Sequence, residues 1–160
     1  MESASEGMRL AFIGCGVMAE AIIAGLLREK LVDSANICAS HPRSERRQEL
    51  SERHGIRTLE RNSEAAALTA GITSSAVVIC VKPQRLPQVL SDLSGVLHPE
   101  QLVISIVAGA RIEHLAEELG TAKIVRAMPN TPSQIGAGIT AWTCTVAVDD
   151  DDRRSVRDLL

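Results

Sequence analysis

A glycine-rich turn near the start of the chain carries the clearest chemical signal in the sequence. Gly14, Gly16 and Ala19 follow a short apolar run and open an apolar, helix-like segment. In this context the GxGxxA spacing predicts a dinucleotide site, because the first glycine permits a tight turn and the second lets the backbone approach a pyrophosphate. The N–H groups of the first helical turn would then hold the diphosphate. Two glycines that merely end a strand are the alternative interpretation.

The end of the predicted second strand indicates which dinucleotide is preferred. NAD-binding domains place a carboxylate there, ~20 residues beyond the glycines, to hold the ribose 2′-hydroxyl. At this strand end, residues 40–44, the chain has no carboxylate ahead of Glu45, whereas Ser40 and Arg43 offer a hydroxyl and a guanidinium to a 2′-phosphate. Arg46 and Arg47 follow one turn later, although arginines on a solvated helix face are common. The sequence predicts that NADPH binds more tightly than NADH.

Later strand ends carry residues suited to the same edge of a sheet. Lys82 supplies a cation, and Ala108 and Gly109 leave room for a flat ring close to the backbone. Asn130 and Thr131 bring polar groups to a turn bounded by prolines. Ligands of open parallel sheets bind beyond the carboxyl ends of the strands, where these residues are predicted to lie. Each segment alone fits ordinary loop chemistry, and together they indicate a site.

These residues need a scaffold in which strands and helices alternate. Uninterrupted apolar runs, above all residues 76–81 and 102–107, are typical of parallel strands buried on both faces. The amphipathic segments between such runs predict crossover helices on both faces of one sheet. We therefore predict an α/β fold, a Rossmann-type doubly wound and mainly parallel sheet, over residues 8–160, with residues 1–7 as a flexible N-terminus. The predicted strands are residues 8–13, 36–40, 76–81, 102–107, 123–128 and 138–148, and the predicted helices are residues 17–29, 44–54, 62–69, 111–119 and 149–160, with one more after Pro83.

Composition excludes several classes of protein. The 160 residues carry a net charge of −3 and contain one Phe, one Trp and no Tyr, so we expect no nucleic-acid partner. No apolar run approaches the ~20 residues of a membrane span, so no membrane partner is expected. The four cysteines form no CxxC pair, which favours reduced thiols in a cytoplasmic protein over disulfides or a metal site. Of the four histidines, only His41 is expected at the cofactor, and the others in solvent.

With these residues in place, the chain resembles the pyrroline-5-carboxylate reductase family. The most specific segment is residues 125–132, Val-Arg-Ala-Met-Pro-Asn-Thr-Pro. Residues 12–19, 81–84 and 105–109 also match, and a small-residue loop follows at residues 134–138. Order and spacing agree over essentially the whole chain. The resemblance implies reduction of the cyclic imine 1-pyrroline-5-carboxylate to L-proline with NAD(P)H.

The resemblance also implies a set of contact residues. The implied cofactor-binding positions are Ile13, Gly14, Cys15, Gly16, Val17, Met18, Ser40, His41, Arg43, Asn62, Val81, Lys82, Pro83, Ala108 and Gly109. Candidates on the substrate and nicotinamide side are Lys82, Met128, Asn130 and Thr131. A protonated imine is already electrophilic, so such a site chiefly aligns the hydride with the imine carbon and excludes water. No proton donor is assigned from the sequence, and Asn62 also fits a plain helix cap.

Members of that family continue into a C-terminal helical domain that forms the dimer and much of the substrate pocket, and nothing in this sequence matches it. A homo-oligomer is expected of the full-length enzyme. This chain is expected to supply the cofactor-binding half and to turn over little substrate by itself. The alternatives are a non-catalytic or truncated NADP-binding module and a related β-hydroxyacid-type dehydrogenase, whose lysine lies in a later helical domain. Residues 128–132 favour the reductase.

Two further expectations concern single side chains. Val156, Leu159 and Leu160 form an apolar stripe near the end of the chain, which we expect to remain exposed. Cys15 lies at a predicted helix N-terminus, whose dipole should lower the pKa of the thiol. The other three cysteines are expected to be buried and unreactive.

Overall fold

A seven-stranded sheet organises the molecule. The computed structural model describes residues 7–130 and 138–160. The strands are β1 Arg9–Ile13, β2 Ile37–Ser40, β3 Arg57–Leu59, β4 Ser75–Ile79, β5 Leu102–Ser105, β6 Ile124–Pro129 and β7 Thr140–Cys144. Their order across the sheet is β3-β2-β1-β4-β5-β6-β7, and all neighbours are parallel except β6 and β7. The predicted mainly parallel sheet is confirmed.

The central strands are those with the most continuous apolar sequence. β4 and β5 are buried along their whole lengths, because both faces of the sheet are covered there. β1 is buried from Leu10 onwards and pairs with β2 on one side and β4 on the other. In this register Ile13 lies opposite both Ser40 and Ile79, so the carboxyl ends of three strands are level at one edge.

Six α-helices are present in the described residues. They are α1 Val17–Arg28, α2 Ser44–His54, α3 Asn62–Ala67, α4 Leu86–Leu93, α5 Ile112–Leu119 and α6 Asp150–Leu159. Their buried side chains place α1, α2 and α6 on one face of the sheet and α3, α4 and α5 on the other. The sheet is therefore doubly wound, as predicted. Among the described helices, none combines the length and the apolarity needed to cross a membrane.

The last helix corrects one expectation. Val156 is fully buried and Leu159 is 7% exposed, and Leu160 packs partly buried against the same core cluster. The prediction of an exposed stripe is wrong. The apolar face of the sheet that α1 covers extends to Val125 and Ala127 of β6, and α6 packs on it there. Hydrogen bonds and ion pairs also fix the start of α6. The Asp149 carboxylate accepts the N–H of Asp152, and the carboxylates of Asp149 and Asp152 both bind Lys123.

Strand β3 is missing from the sequence prediction. Its residues, Arg57, Thr58 and Leu59, lie at the edge of the sheet, and so short a polar segment gives no periodic signal. The strand still affects the site, because the Leu59 carbonyl accepts the N–H of His41 at 3.0 Å. This pairing brings the residue after β3, Glu60, to the end of β2.

Candidate dinucleotide-binding site

A cleft opens where the strand order reverses. β2 and β4 flank β1, and the helices that follow β2 and β4 lie on opposite faces of the sheet. Such a reversal leaves a crevice beyond the carboxyl ends of the strands. The cleft has a volume of about 620 Å³ and is lined by Gly14, Pro42, Glu60, Arg61, Asn62, Ser63, Val81, Arg85, Gln88, Val89 and Asp92. This volume lies within the ~300–1,000 Å³ of small-molecule sites.

The two glycines of the turn are required for different reasons. Gly14 has a φ of +82°, and a Cβ at this position would come within 2.3 Å of Val81 Cγ1. Only glycine at this position lets the residue after β1 lie so close to Val81, which follows β4. A Cβ on Gly16, the N-cap of α1, would meet no described atom within 4 Å. The position that a Gly16 side chain would take at the start of α1 is thus open, and a glycine turn at a helix N-terminus fits the diphosphate of a dinucleotide.

Ser40 is turned inward and supports the glycine turn. The residue is fully buried, and its Oγ accepts the N–H of Gly14 at 3.2 Å and donates to Asn62 Oδ1 at 2.7 Å. Its carbonyl accepts the N–H of Cys15 at 3.1 Å. The hydroxyl that was expected to meet a 2′-phosphate is therefore engaged within the protein. Asn62 lies in the first turn of α3 and is not its cap, and its Nδ2 donates to Asp92 at 2.9 Å.

Arg46 belongs to the glycine turn rather than to a solvated helix face. Its side chain is 13% exposed and lies 2.5 Å from Glu20 and 2.9 Å from Glu49. Its Nε donates to the Cys15 carbonyl at 3.4 Å. The arginine thereby links α2 to the turn and to the first turn of α1.

Glu20 is the anionic centre of this contact. Besides Arg46, it binds Arg53 at 2.7 Å and His54 Nε2 at 2.8 Å. Burial alone would raise the pKa of Glu20, but hydrogen bonds from His54, Arg46 and Arg53 outweigh burial and lower that pKa to about 2. The expectation of a solvated His54 is wrong, because this bond and an 11% exposed side chain place it against α1.

The end of β2 carries one exposed guanidinium. Arg43 precedes α2, and its backbone N–H donates to His41 Nδ1 at 3.2 Å. Burial, followed by the charges of Arg43 and Arg46, lowers the pKa of His41. Glu60 adds a carboxylate 3.7 Å from Arg47 at this edge. Glu60 was not predicted at this edge, because the short strand β3, which brings it there, gives no periodic signal in the sequence.

The surroundings of Cys15 differ from those expected of it. Its side chain is fully buried, and burial raises the pKa of the thiol to about 12, against the lowering effect of the Arg46 charge. The prediction of a lowered pKa is wrong, since removal from water outweighs the helix dipole. Cys15, Cys38, Cys80 and Cys144 are all free, with Cys80 and Cys144 only partly buried.

The ends of β4 and β5 contribute small and basic groups to the same edge. Lys82 is exposed and begins a short 3₁₀ helix, Pro83–Arg85. A second cleft of about 300 Å³ is lined by Pro83, Leu86, Ala108, Gly109, Ala110, Arg111 and His114. Gly109 has a φ of +75°, which glycine adopts without strain. Three of the predicted cofactor positions therefore line this neighbouring cleft.

The end of β6 carries the remaining candidates. Met128 is 44% exposed, and Asn130 Oδ1 accepts the N–H of Ile139 at 3.1 Å. Thr131, the last candidate, lies outside the described residues. Of the other cofactor positions, Ile13 is fully buried, and Val17 is 68% exposed beside the open end of α1.

Known proteins resemble this chain in sequence and in fold. Residues 9–109 match the family described as NADP oxidoreductase, coenzyme F420-dependent. A pyrroline-5-carboxylate reductase of Synechocystis sp. is 39% identical over 144 residues, which are 90% of this chain and 52% of that protein. Among solved structures, a pyrroline-5-carboxylate reductase from Coxiella burnetii is 32% identical with a TM-score of 0.86, covering 95% of this chain and 55% of that one.

Another solved structure carries a cofactor. Plasmodium falciparum pyrroline carboxylate reductase with NADP bound is 27% identical with a TM-score of 0.79, over 95% of this chain and 53% of that one. The chain thus spans about half the length of the relatives that it matches. It belongs to the NADP oxidoreductase, coenzyme F420-dependent family and corresponds to the N-terminal domain of pyrroline-5-carboxylate reductases.

Proposed function

We propose that this chain binds NADPH and forms the cofactor-binding half of an enzyme that reduces 1-pyrroline-5-carboxylate to L-proline. The observation that carries the proposal is the glycine turn, which is closed against Val81 at Gly14 and open in front of α1 at Gly16. Similarity to pyrroline-5-carboxylate reductases over 90% of the chain supports the choice of substrate.

Three groups of described residues would each hold a different part of the cofactor. The N–H groups of Val17 and Met18, in the first turn of α1, would hold the diphosphate. The cleft beside Asn62 would take the adenosine, with the exposed Arg43 pairing with the 2′-phosphate. Ala108 and Gly109 would lie against the nicotinamide, because small exposed residues leave a ring close access to the backbone.

When bound, the reduced nicotinamide supplies a hydride to the imine carbon. The protein's part is to align the substrate and exclude water, since a protonated cyclic imine needs little further activation. Lys82 and Met128, both exposed at this edge, are our candidates for the substrate side. Asn130, whose amide oxygen accepts the N–H of Ile139, is a third candidate.

The preference for NADPH is tested by calorimetric titration of both reduced cofactors. Arg43→Ala should weaken NADPH binding about 10- to 100-fold and change NADH binding little, because the charge-assisted pair with the 2′-phosphate is lost. Arg28→Ala is the matched control, since this exposed arginine pairs with Glu29 at the far end of α1. Equal losses for NADPH and NADH would contradict the role of Arg43.

The assignment as half of an enzyme is tested by following NADPH oxidation with 1-pyrroline-5-carboxylate. We expect NADPH binding with negligible turnover, because the described edge meets a substrate from one side only. Turnover near a typical ~10 s⁻¹ would mean that these 160 residues carry a whole active site. We further propose a cytoplasmic location, which the four free thiols support, and a homo-oligomeric full-length enzyme.

A further inference from the structure

We propose that Asp92 is a positioning residue for the glycine turn, acting through Asn62 and Ser40. Asp92 lies on α4, partly exposed, and its carboxylate lines the cleft. Nothing in the sequence pattern distinguishes it from a solvated acid on a helix. Where the inference concerns cofactor affinity, it rests on the proposed function.

The contacts form an unbroken chain from α4 to the turn. Asp92 Oδ2 accepts from Asn62 Nδ2 at 2.9 Å, and Asn62 Oδ1 accepts from Ser40 Oγ at 2.7 Å. Ser40 Oγ then accepts the N–H of Gly14 at 3.2 Å. The second carboxylate oxygen of Asp92 accepts from Gln88 Nε2 at 2.8 Å, one turn earlier on α4. We call the path from Asp92 to Gly14 the relay.

The direction of every hydrogen bond in the relay follows from its first member. An ionised carboxylate only accepts, so the group of Asn62 that faces Asp92 is the amide NH₂. The carbonyl oxygen of Asn62 therefore faces Ser40, whose hydroxyl must donate to it. A hydroxyl that donates to Asn62 keeps a lone pair for the N–H of Gly14. Asp92 thus sets the orientation of a group that it does not touch.

Gly14 is the residue at which this orientation matters most. Its φ of +82° and its contact with Val81 leave the turn little freedom, and its N–H is aimed at the fully buried Ser40. A donor left without an acceptor in such a place costs more than the hydrogen bond itself contributes. Loss of the relay should therefore loosen the turn that faces the diphosphate.

Charge alone predicts the opposite effect of removing Asp92. A carboxylate in a cleft that receives an anionic cofactor repels it, so its removal should tighten binding if Asp92 is merely a solvated acid. The relay predicts weaker binding. The sign of the change in NADPH affinity therefore separates the two explanations.

The relay itself is tested without cofactor, from the amide resonance of Gly14 in proton–nitrogen correlation spectra. Asp92→Leu should move the Gly14 proton upfield, since its hydrogen bond to Ser40 weakens. Asp92→Asn should restore most of the wild-type shift, because an amide oxygen can still accept from Asn62. Ser91→Leu, at an exposed neighbour on α4, is the matched control and should leave the resonance in place. A Gly14 resonance unmoved in Asp92→Leu would overturn the relay.

The effect on the cofactor is tested by NADPH titration of the same proteins. We expect Asp92→Leu to weaken binding about three- to tenfold and Asp92→Asn to bind nearly as well as wild type. Unchanged or tighter binding in Asp92→Leu would overturn the positioning role. If Asp92→Leu does not fold, Asn62→Ala breaks the relay at its next link and takes its place in the measurement of the Gly14 resonance, while Asp92→Asn remains for the titration. Absence of NADPH binding by the wild type would contradict the proposed function. The shift of the Gly14 resonance would still test the relay, because that measurement needs no cofactor.

Discussion

The two ends of the sheet both bury polar side chains, but they use them in different ways. At the carboxyl end, Ser40 accepts the N–H of Gly14 and donates to Asn62, so the polar groups there hold the glycine turn beside the cleft. At the amino end, Gln101 donates to Thr69 at 2.6 Å and Thr121 donates to the Gln101 carbonyl at 2.8 Å. The polar groups at the amino end form hydrogen bonds with one another and with loop carbonyls.

The helices that begin at the two ends differ in the same way. α6 begins at the amino end, where the Asp149 carboxylate caps the N–H of Asp152 and Lys123 neutralises both acids. α1 begins at the carboxyl end with Gly16, which supplies no side chain. The two ends of the sheet therefore differ in whether a side chain caps the helix that begins there, and not in whether polar groups are buried.

The largest effect should come from filling the open position. Gly16→Val should weaken NADPH binding about 100-fold or more, because the side chain would occupy the place of the diphosphate. The free energy of unfolding should change by less than about 1 kcal/mol, since φ −86° and ψ −160° suit a β-branched residue and no described atom lies within 4 Å of the Cβ position. Calorimetry and urea denaturation measure the two quantities.

Gly14→Ala is the comparison for this variant. A residue with a Cβ is strained at φ +82° and clashes with Val81, so this change should destabilise the fold itself by more than about 2 kcal/mol. A Gly16→Val protein that retains NADPH affinity would mean that the open end of α1 is not the diphosphate site.

The next effect concerns the ion pairs that hold α1 to α2 at the carboxyl end. Glu20→Gln should lower the free energy of unfolding by about 2 kcal/mol at pH 7, because Arg46, Arg53 and His54 lose their common anion. The pKa of Glu20 is lowered from 4.5 to about 2 by folding, so its stabilisation is complete above pH 4.5 and is lost as the pH falls towards 2. The difference between variant and wild type should shrink across that window.

Urea denaturation between pH 7 and pH 2 measures this difference. Glu113→Gln, at an exposed position in the first turn of α5, is the matched control and should show little change. A constant difference between Glu20→Gln and wild type at every pH would exclude the ionised carboxylate as its cause.

The smallest effect should come from the amino end. Gln101→Met should lower the free energy of unfolding by about 1–2 kcal/mol, because the buried Thr69 Oγ loses the hydrogen bond from Gln101 Nε2 and the N–H of His98 loses its acceptor, Gln101 Oε1. NADPH affinity should stay within twofold of wild type, since this cluster lies at the opposite end of the strands. A loss of affinity as large as that of Asp92→Leu would remove the distinction between the two ends.

The sequence predicted those parts of the molecule in which local pattern and final environment agree. The run at residues 76–81 overlaps β4 at residues 76–79, the charged segment at residues 44–54 is α2, and Gly55 ends α2 in the left-handed conformation. The GxGxxA spacing likewise predicted a glycine turn between the first strand and the first helix, and Gly14 has the positive φ expected of such a turn. The binding of a dinucleotide at Gly14 and Gly16 stays a prediction.

Predictions about single side chains failed where distant residues decide the environment. Cys15 is at a helix N-terminus, as expected, but its burial depends on the core packed around it. His54 and Arg46 were placed in solvent or at the cofactor, since α2 alone does not reveal that Glu20 of α1 faces them. Asp92 gave no signal at all, because its partner Asn62 lies on another helix.

The central position of β1 has a consequence for synthesis of the chain on the ribosome. β1 is made first and can pair with β2 early, but its other edge belongs to β4, Ser75–Ile79. Until that strand emerges, the nascent chain presents an unpaired apolar edge, the kind of surface that favours wrong pairing. A ribosome that pauses between β3 and β4 would therefore hold the nascent chain at its most aggregation-prone length, and folding in the cell depends on how quickly translation passes that point.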